Sequence, residues 1–116
     1  MRVTIERSAF LRALNHVQSV VERRNTIPIL SNVLLQADGA ALKLTATDLD
    51  IEIVESVPAM IAKAGAATVP AHMLYDIVRK LPDGAQLELD QSGDSNRMAI
   101  FAGRSRFNLQ ALPPED

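Results

Sequence analysis

Apolar and polar positions follow one order along this chain, and the order occurs twice. Val3-Thr4-Ile5 leads into Phe10, Leu14 and Val17, apolar residues at the three-to-four spacing of one helix face. Ala67-Thr68-Val69 leads into Leu74, Val78 and Leu81, each 64 residues beyond its counterpart. Leu42, Leu44, Ile51 and Ile53 match Met98, Ile100, Phe107 and Leu109 at a second offset of 56. The pattern predicts a strand, a helix and three strands, run twice. Two such units can set two helices side by side on one sheet as a continuous helical surface. Few of the matched residues are identical, and a βα pattern also recurs by chance.

The strands show a period of two. Leu42, Leu44 and Ala46 alternate with Lys43, Thr45 and Thr47, Ile51 and Ile53 flank Glu52, and Leu87 and Leu89 flank Glu88. Each strand then has one buried and one wet face. Asp38-Gly39 and the run Ser92-Gly93-Asp94-Ser95-Asn96 fall where hairpin turns are needed. Pro70 suits the first position of the second helix, where a missing N–H costs nothing, and Leu81-Pro82-Asp83-Gly84 closes that helix. The predicted class is α+β: a duplicated β-α-β-β-β unit with two helices on one face of an antiparallel sheet.

Composition narrows the picture. At 116 residues the chain is one domain with room for a real core, and with 3% aromatics that core is built from Leu, Ile, Val, Met and Ala. The absence of Cys removes disulfides and thiolate sites. Met1 to Arg7 has no signal-like apolar run, and no stretch approaches the ~20 apolar residues of a membrane span. A soluble, cytoplasmic protein without membrane contact is the expectation. Pro113-Pro114-Glu115-Asp116 reads as the start of an interdomain linker after a domain spanning 1–112, so more domains are expected to follow.

A net charge of −2 says little until it is divided. Residues 7–24 and 71–80 hold six basic residues (Arg7, Arg12, Arg23, Arg24, Arg79, Lys80) and two acidic ones (Glu22, Asp76), a net of +4. The remainder holds six basic and twelve acidic residues, a net of −6. A positive helical layer suits a polyanion, and a negative remainder discourages random nucleic-acid binding. An ordinary solvated helix face has the same look. The offset between repeats falls from 64 at the helices to 54 at the next strand, so the first unit carries ten extra residues around Glu22 to Pro28. A loop extended in one copy is either a working part or a neutral insertion.

Catalytic machinery is hard to find. His16 and His72 lie on different helices without metal-ligand spacing. Asp48 and Asp50 fall at a turn between strands, where Asp serves turn chemistry. The five glycines are scattered and form no phosphate loop, and Ser105 has no evident base. Aromatics are too few for a base-stacking platform. No cofactor and no metal are expected. A stand-alone interaction domain, or a small enzyme using Asp48 and Asp50, stays open at this point.

Four motifs then carry a resemblance. Thr26-Ile27-Pro28-Ile29-Leu30-Ser31-Asn32-Val33-Leu34-Leu35 is similar to the signature near the start of the bacterial sliding-clamp family, the beta subunits of DNA polymerase III. So are Leu44 to Asp50 (LTATDLD), Thr68-Val69-Pro70-Ala71 and Gly103 to Leu109 (GRSRFNL), in order from Met1 to Leu112. The chain resembles only the first of that family's three domains.

The resemblance implies a non-catalytic subunit. Family members form a head-to-tail homodimer, a ring of six similar domains around duplex DNA with helices lining the hole, which tethers the replicative polymerase. A closed ring holds DNA by topology, so phosphate contacts can stay weak and blind to sequence. Arg24 matches a family arginine that approaches DNA from the loop after the first helix. Arg23, Arg7, Arg12, Arg79 and Lys80 are further DNA-facing candidates. Arg104, Arg106, Phe107 and Leu109 match the strand that pairs with the third domain of the partner subunit, the arginines on one strand face and the apolar pair on the other. Polymerase and clamp loader dock through the second and third domains, which this chain does not include. His72-Met73 departs from the family by being less basic, which leaves the inner surface less positive there or an ion pair at the subunit contact missing.

Overall fold

A computed structural model describes residues 1–19, 32–47, 52–91 and 96–111. The elements run β1 (Arg2–Glu6), α1 (Arg7–Gln18), β2 (Asn32–Asp38), β3 (Ala41–Thr47), β4 (Glu52–Pro58), β5 (Met60–Lys63), β6 (Gly65–Pro70), α2 (Ala71–Arg79), β7 (Gln86–Asp90), β8 (Arg97–Ala102) and β9 (Ser105–Gln110). The strand–helix–three-strand plan is present twice, as β1-α1-β2-β3-β4 and β6-α2-β7-β8-β9. The short strand β5 between the units has no counterpart in the sequence pattern.

One expectation needs correction: there are two antiparallel sheets, not one. Their orders are β5-β1-β7-β8-β9 and β4-β3-β2-β6. Each unit contributes its last three strands to one sheet and its first strand to the other. Thus β1 pairs with β7 from Arg2↔Asp90 to Glu6↔Gln86, and β6 pairs with β2 from Asn32↔Pro70 to Ala37↔Gly65. Period-two alternation says which face of a strand is buried; it does not name the strand's neighbour.

The matched positions of the two repeats meet in one core. Val3 and Ile5 with Ala67 and Val69, Leu14 with Val78, and Leu42 and Leu44 with Met98 and Ile100 are all buried. In α1 the buried face is Phe10, Ala13, Leu14 and Val17; in α2 it is Ala71, Leu74 and Val78. The helices lie beside each other, with α1 also packed on β3 and β4. Each apolar side chain of this size contributes about 1.5–3 kcal/mol when fully buried. The paired helix faces and two sheet faces therefore hold the domain together.

Local chemistry sets the ends. Gly39 takes a φ of 65° in the two-residue turn after Asp38, the left-handed conformation such hairpins need. Pro70 is the residue just before α2, extended at ψ 121°, and not its first helical position. Leu81 lies past the helix end, yet is buried like its partner Val17.

Candidate nucleic-acid interface and subunit edge

The helix layer presents a polar side away from the core. On α1 and its C-terminal cap, Arg12, Asn15, His16 and Ser19 follow one another at helical spacing, outside the buried face. On α2, Arg79 is the last helical residue and Lys80 the cap, where the negative end of the helix favours cations. Arg12 and Lys80 are in no ion pair among the described residues. Arg79 is 3.5 Å from Asp76, with its guanidinium 5.8 Å from the centre of the Tyr75 ring. That ion pair is exposed, so it is worth only about 0–1 kcal/mol and can give way to phosphate. Arg23 and Arg24, with the extended loop, lie outside the described residues, as do Asp48, Asp50 and the linker at 113–116.

Arg7 is different, and its reading as a surface cation is corrected. Its side chain is only 11% exposed. Nε donates to the Val78 carbonyl at 3.3 Å, and the two Nη atoms reach the Arg79 carbonyl at 2.9 Å and the Asp83 carboxylate at 2.5 Å. Sequence could not show this, because an arginine opening an amphipathic helix ordinarily faces water.

Between α1 and β4 an open groove of about 650 Å³ is lined by Arg12, Asn15, His16, Glu55, Val57 and Pro58, among others. His16 Nδ1 touches a Glu55 carboxylate oxygen across it. No signal in the sequence joined those two residues, which are 39 positions apart. Among the described residues no group of three or more His, Cys, Asp or Glu is placed to hold a metal, and no helix is long and apolar enough to cross a membrane.

The second surface is the edge formed by β9, the last strand of its sheet. Phe107 sits opposite Ile100 and is half-buried, at the rim of the core. Leu109 sits opposite Met98 and is 2% exposed. Leu109 is therefore corrected to a core residue of its own domain, leaving Phe107 as the apolar side chain with surface to offer. Arg106 lies across from Phe101, with its guanidinium 5.4 Å from the ring centre. Arg104 is not in the strand but in the two-residue turn after Ala102, where Gly103 takes a φ of 59°. A Gly-X pair between alternating strands was the available signal for that turn.

The family profile for the DNA polymerase III beta subunit, N-terminal domain, matches residues 1–116. The chain belongs to this family. It is 63% identical over 116 residues to the beta sliding clamp of Caulobacter vibrioides, and 43% identical over 117 residues to that of Escherichia coli K12. All of this chain is covered in both comparisons, but only 31% of each relative. The crystal structure of the DNA polymerase sliding clamp from Caulobacter crescentus superposes with a TM-score of 0.97, covering 100% of this chain and 31% of that one. A sliding clamp from Bartonella birtlesii, solved bound to griselimycin, is 55% identical with a TM-score of 0.93 over the same shares. The two-sheet, two-helix arrangement is thus the DNA-clamp fold. Of the departure noted at His72-Met73, Met73 is 54% exposed on α2 and His72 is part-buried.

Proposed function

We propose that this domain is the first third of a ring-shaped sliding clamp that encircles duplex DNA and tethers the replicative polymerase without catalysing a reaction itself. The observation that carries this reading is similarity along the whole of this chain to beta sliding clamps, at 63% identity, over 31% of their length. The charge division agrees with it: residues 7–24 and 71–80 carry a net +4 and the remainder a net −6. The helix layer then faces phosphate through Arg12, Arg79 and Lys80, and Arg23 and Arg24, which follow α1 in the sequence, are further phosphate contacts. The domain spans 1–112, and the segment from 113 leads to further domains that bind polymerase and clamp loader. The β9 edge, with Phe107, Arg104 and Arg106, meets the third domain of a second subunit. Replication places the protein in the cytoplasm.

Such a ring retains DNA by closure. Loaded full-length protein should stay on nicked circular DNA through gel filtration and be released when the circle is cut. Equal retention on the linear product would mean that affinity holds the DNA, and the ring reading would fail. In the same assay Arg24→Ala should weaken association equally across DNA sequences, because phosphate contacts carry no sequence information.

A further inference from the structure

Arg7 stands where the two repeats meet. It follows β1 directly and opens α1, yet its guanidinium reaches the far end of the other helix, on the Val78 and Arg79 carbonyls and the Asp83 carboxylate. Its backbone N–H donates to the Ala85 carbonyl at 2.9 Å, beyond the same turn. The matching position in the second repeat is Ala71, so the device is built on one side only.

The last carbonyls of a helix have no partner within it, and they carry about half a negative charge between them. In α2 that end bears Arg79 and Lys80. Uncapped, it would repel an approaching phosphate and draw the two side chains back onto their own backbone. We infer that Arg7 is a positioning residue for the DNA-facing layer: it neutralises the carboxyl end of α2 and leaves Arg79 and Lys80 to reach phosphate. This rests on the clamp reading above. The planar fork matters as well as the charge, since one guanidinium meets three acceptors that a lysine ammonium cannot span.

The test uses the full-length protein with Arg7→Lys and Arg7→Met, each in the native and the Arg79→Ala/Lys80→Ala backgrounds. Duplex-DNA affinity is measured against salt, and hydrogen exchange is followed at the amides of Lys80, Leu81, Asp83, Gly84 and Ala85. Removing one phosphate partner should flatten the log–log salt slope by about 0.9. Arg7→Lys, which keeps its charge, should flatten the slope toward that of Arg79→Ala/Lys80→Ala and speed exchange at Lys80 and Leu81 at least roughly tenfold, the exchange factor for about 1.4 kcal/mol of local stability. In the doubly substituted background neither variant should flatten the slope further. Native behaviour of Arg7→Lys in both measurements would overturn the inference. So would added flattening by Arg7→Met in that background, which would make Arg7 a direct phosphate contact. Should Arg7→Met lose its native circular dichroism, Arg7→Lys decides alone. A native slope in Arg79→Ala/Lys80→Ala would overturn it at its base, while the ring reading would still answer to the cut-circle assay.

Discussion

The strands β4 and β9 are the same element of two repeats, and each ends a sheet, yet they carry opposite charge. β4 contains Glu52 and Glu55 and no base. The hairpin from Arg97 to Gln110 contains Arg97, Arg104 and Arg106 and no acid. Inside, the repeats agree, with Leu42 and Leu44 matched by Met98 and Ile100 in full burial. In this duplicated fold the repeats share a core and differ in the charge of their edges. Two acidic edges repel, as do two basic ones, whereas a basic edge attracts an acidic one. Complementary edges favour a head-to-tail contact over a self-complementary one, and head-to-tail contacts close into a ring when the rotation between subunits permits it.

The sharpest break of the comparison sets Leu109 against its counterpart Ile53. Leu109→Asp buries a carboxylate without a partner, which costs several kcal/mol of a total near 5–15 kcal/mol. The protein should lose its native circular dichroism, while Ile53→Asp, at a half-buried site on the other edge, should keep it. Equal urea midpoints for the two variants would contradict the different burial of these edges. Next comes the seam. Phe107→Asp in the full-length protein should give a folded monomer, because it replaces the remaining apolar burial of that half-buried side chain, part of the roughly 1.5–3 kcal/mol for full burial, with a carboxylate that must be desolvated. Arg104→Ala and Arg106→Ala should loosen the dimer less, by about 0–1 kcal/mol each. Sedimentation velocity checks the order; a persistent Phe107→Asp dimer would remove Phe107 from the seam.

A smaller effect comes from Gly65, at the start of β6 in the other sheet. A Cβ on Gly65 would lie 3.1 Å from the Met1 Cβ and 3.3 Å from its backbone nitrogen. Gly65→Ala should therefore destabilise by about 1–3 kcal/mol, as overpacking does, read as a lower urea midpoint. The smallest effect is a pH dependence. The Met1 ammonium donates to the Gln91 carbonyl at 2.8 Å, and burial, then Lys63, hold its pKa below the usual 8.0 against the opposing pull of Asp90. The unfolded chain therefore binds more protons between the folded value and 8.0, so this group's contribution is full above pH 8 and is lost as pH falls through the folded value. Blocking the amine chemically should flatten that part of the stability–pH curve; an unchanged curve would show that Met1 does not set it.

Much of this architecture was legible in the residues. The offset from Leu42 and Leu44 to Met98 and Ile100 located the repeat, and period two named their buried faces correctly. The helices followed from the Phe10-Leu14-Val17 and Leu74-Val78 spacings. What stayed hidden depends on distance along the chain. The exchange of β1 and β6 between sheets joins strands that no local pattern connects, and β5 is too short to show a period. Arg7 looked like a surface cation because its partners lie 71 or more positions away. Phe107 and Leu109 share a strand face, and only the position of the sheet's rim separates a half-buried ring from a fully buried side chain.

The exchanged first strands also bear on how the chain folds as it is made. Arg2 cannot meet Asp90 until most of the domain has been synthesised. The cost of closing so long a loop grows slowly, by about 0.6 kcal/mol for each doubling of length, but it must be met before the contact repays it. The first repeat's β2, β3 and β4 need β6 from the second to complete their sheet, and the second repeat's β7, β8 and β9 need β1 from the first. One repeat therefore cannot peel away from the other without dismantling both sheets.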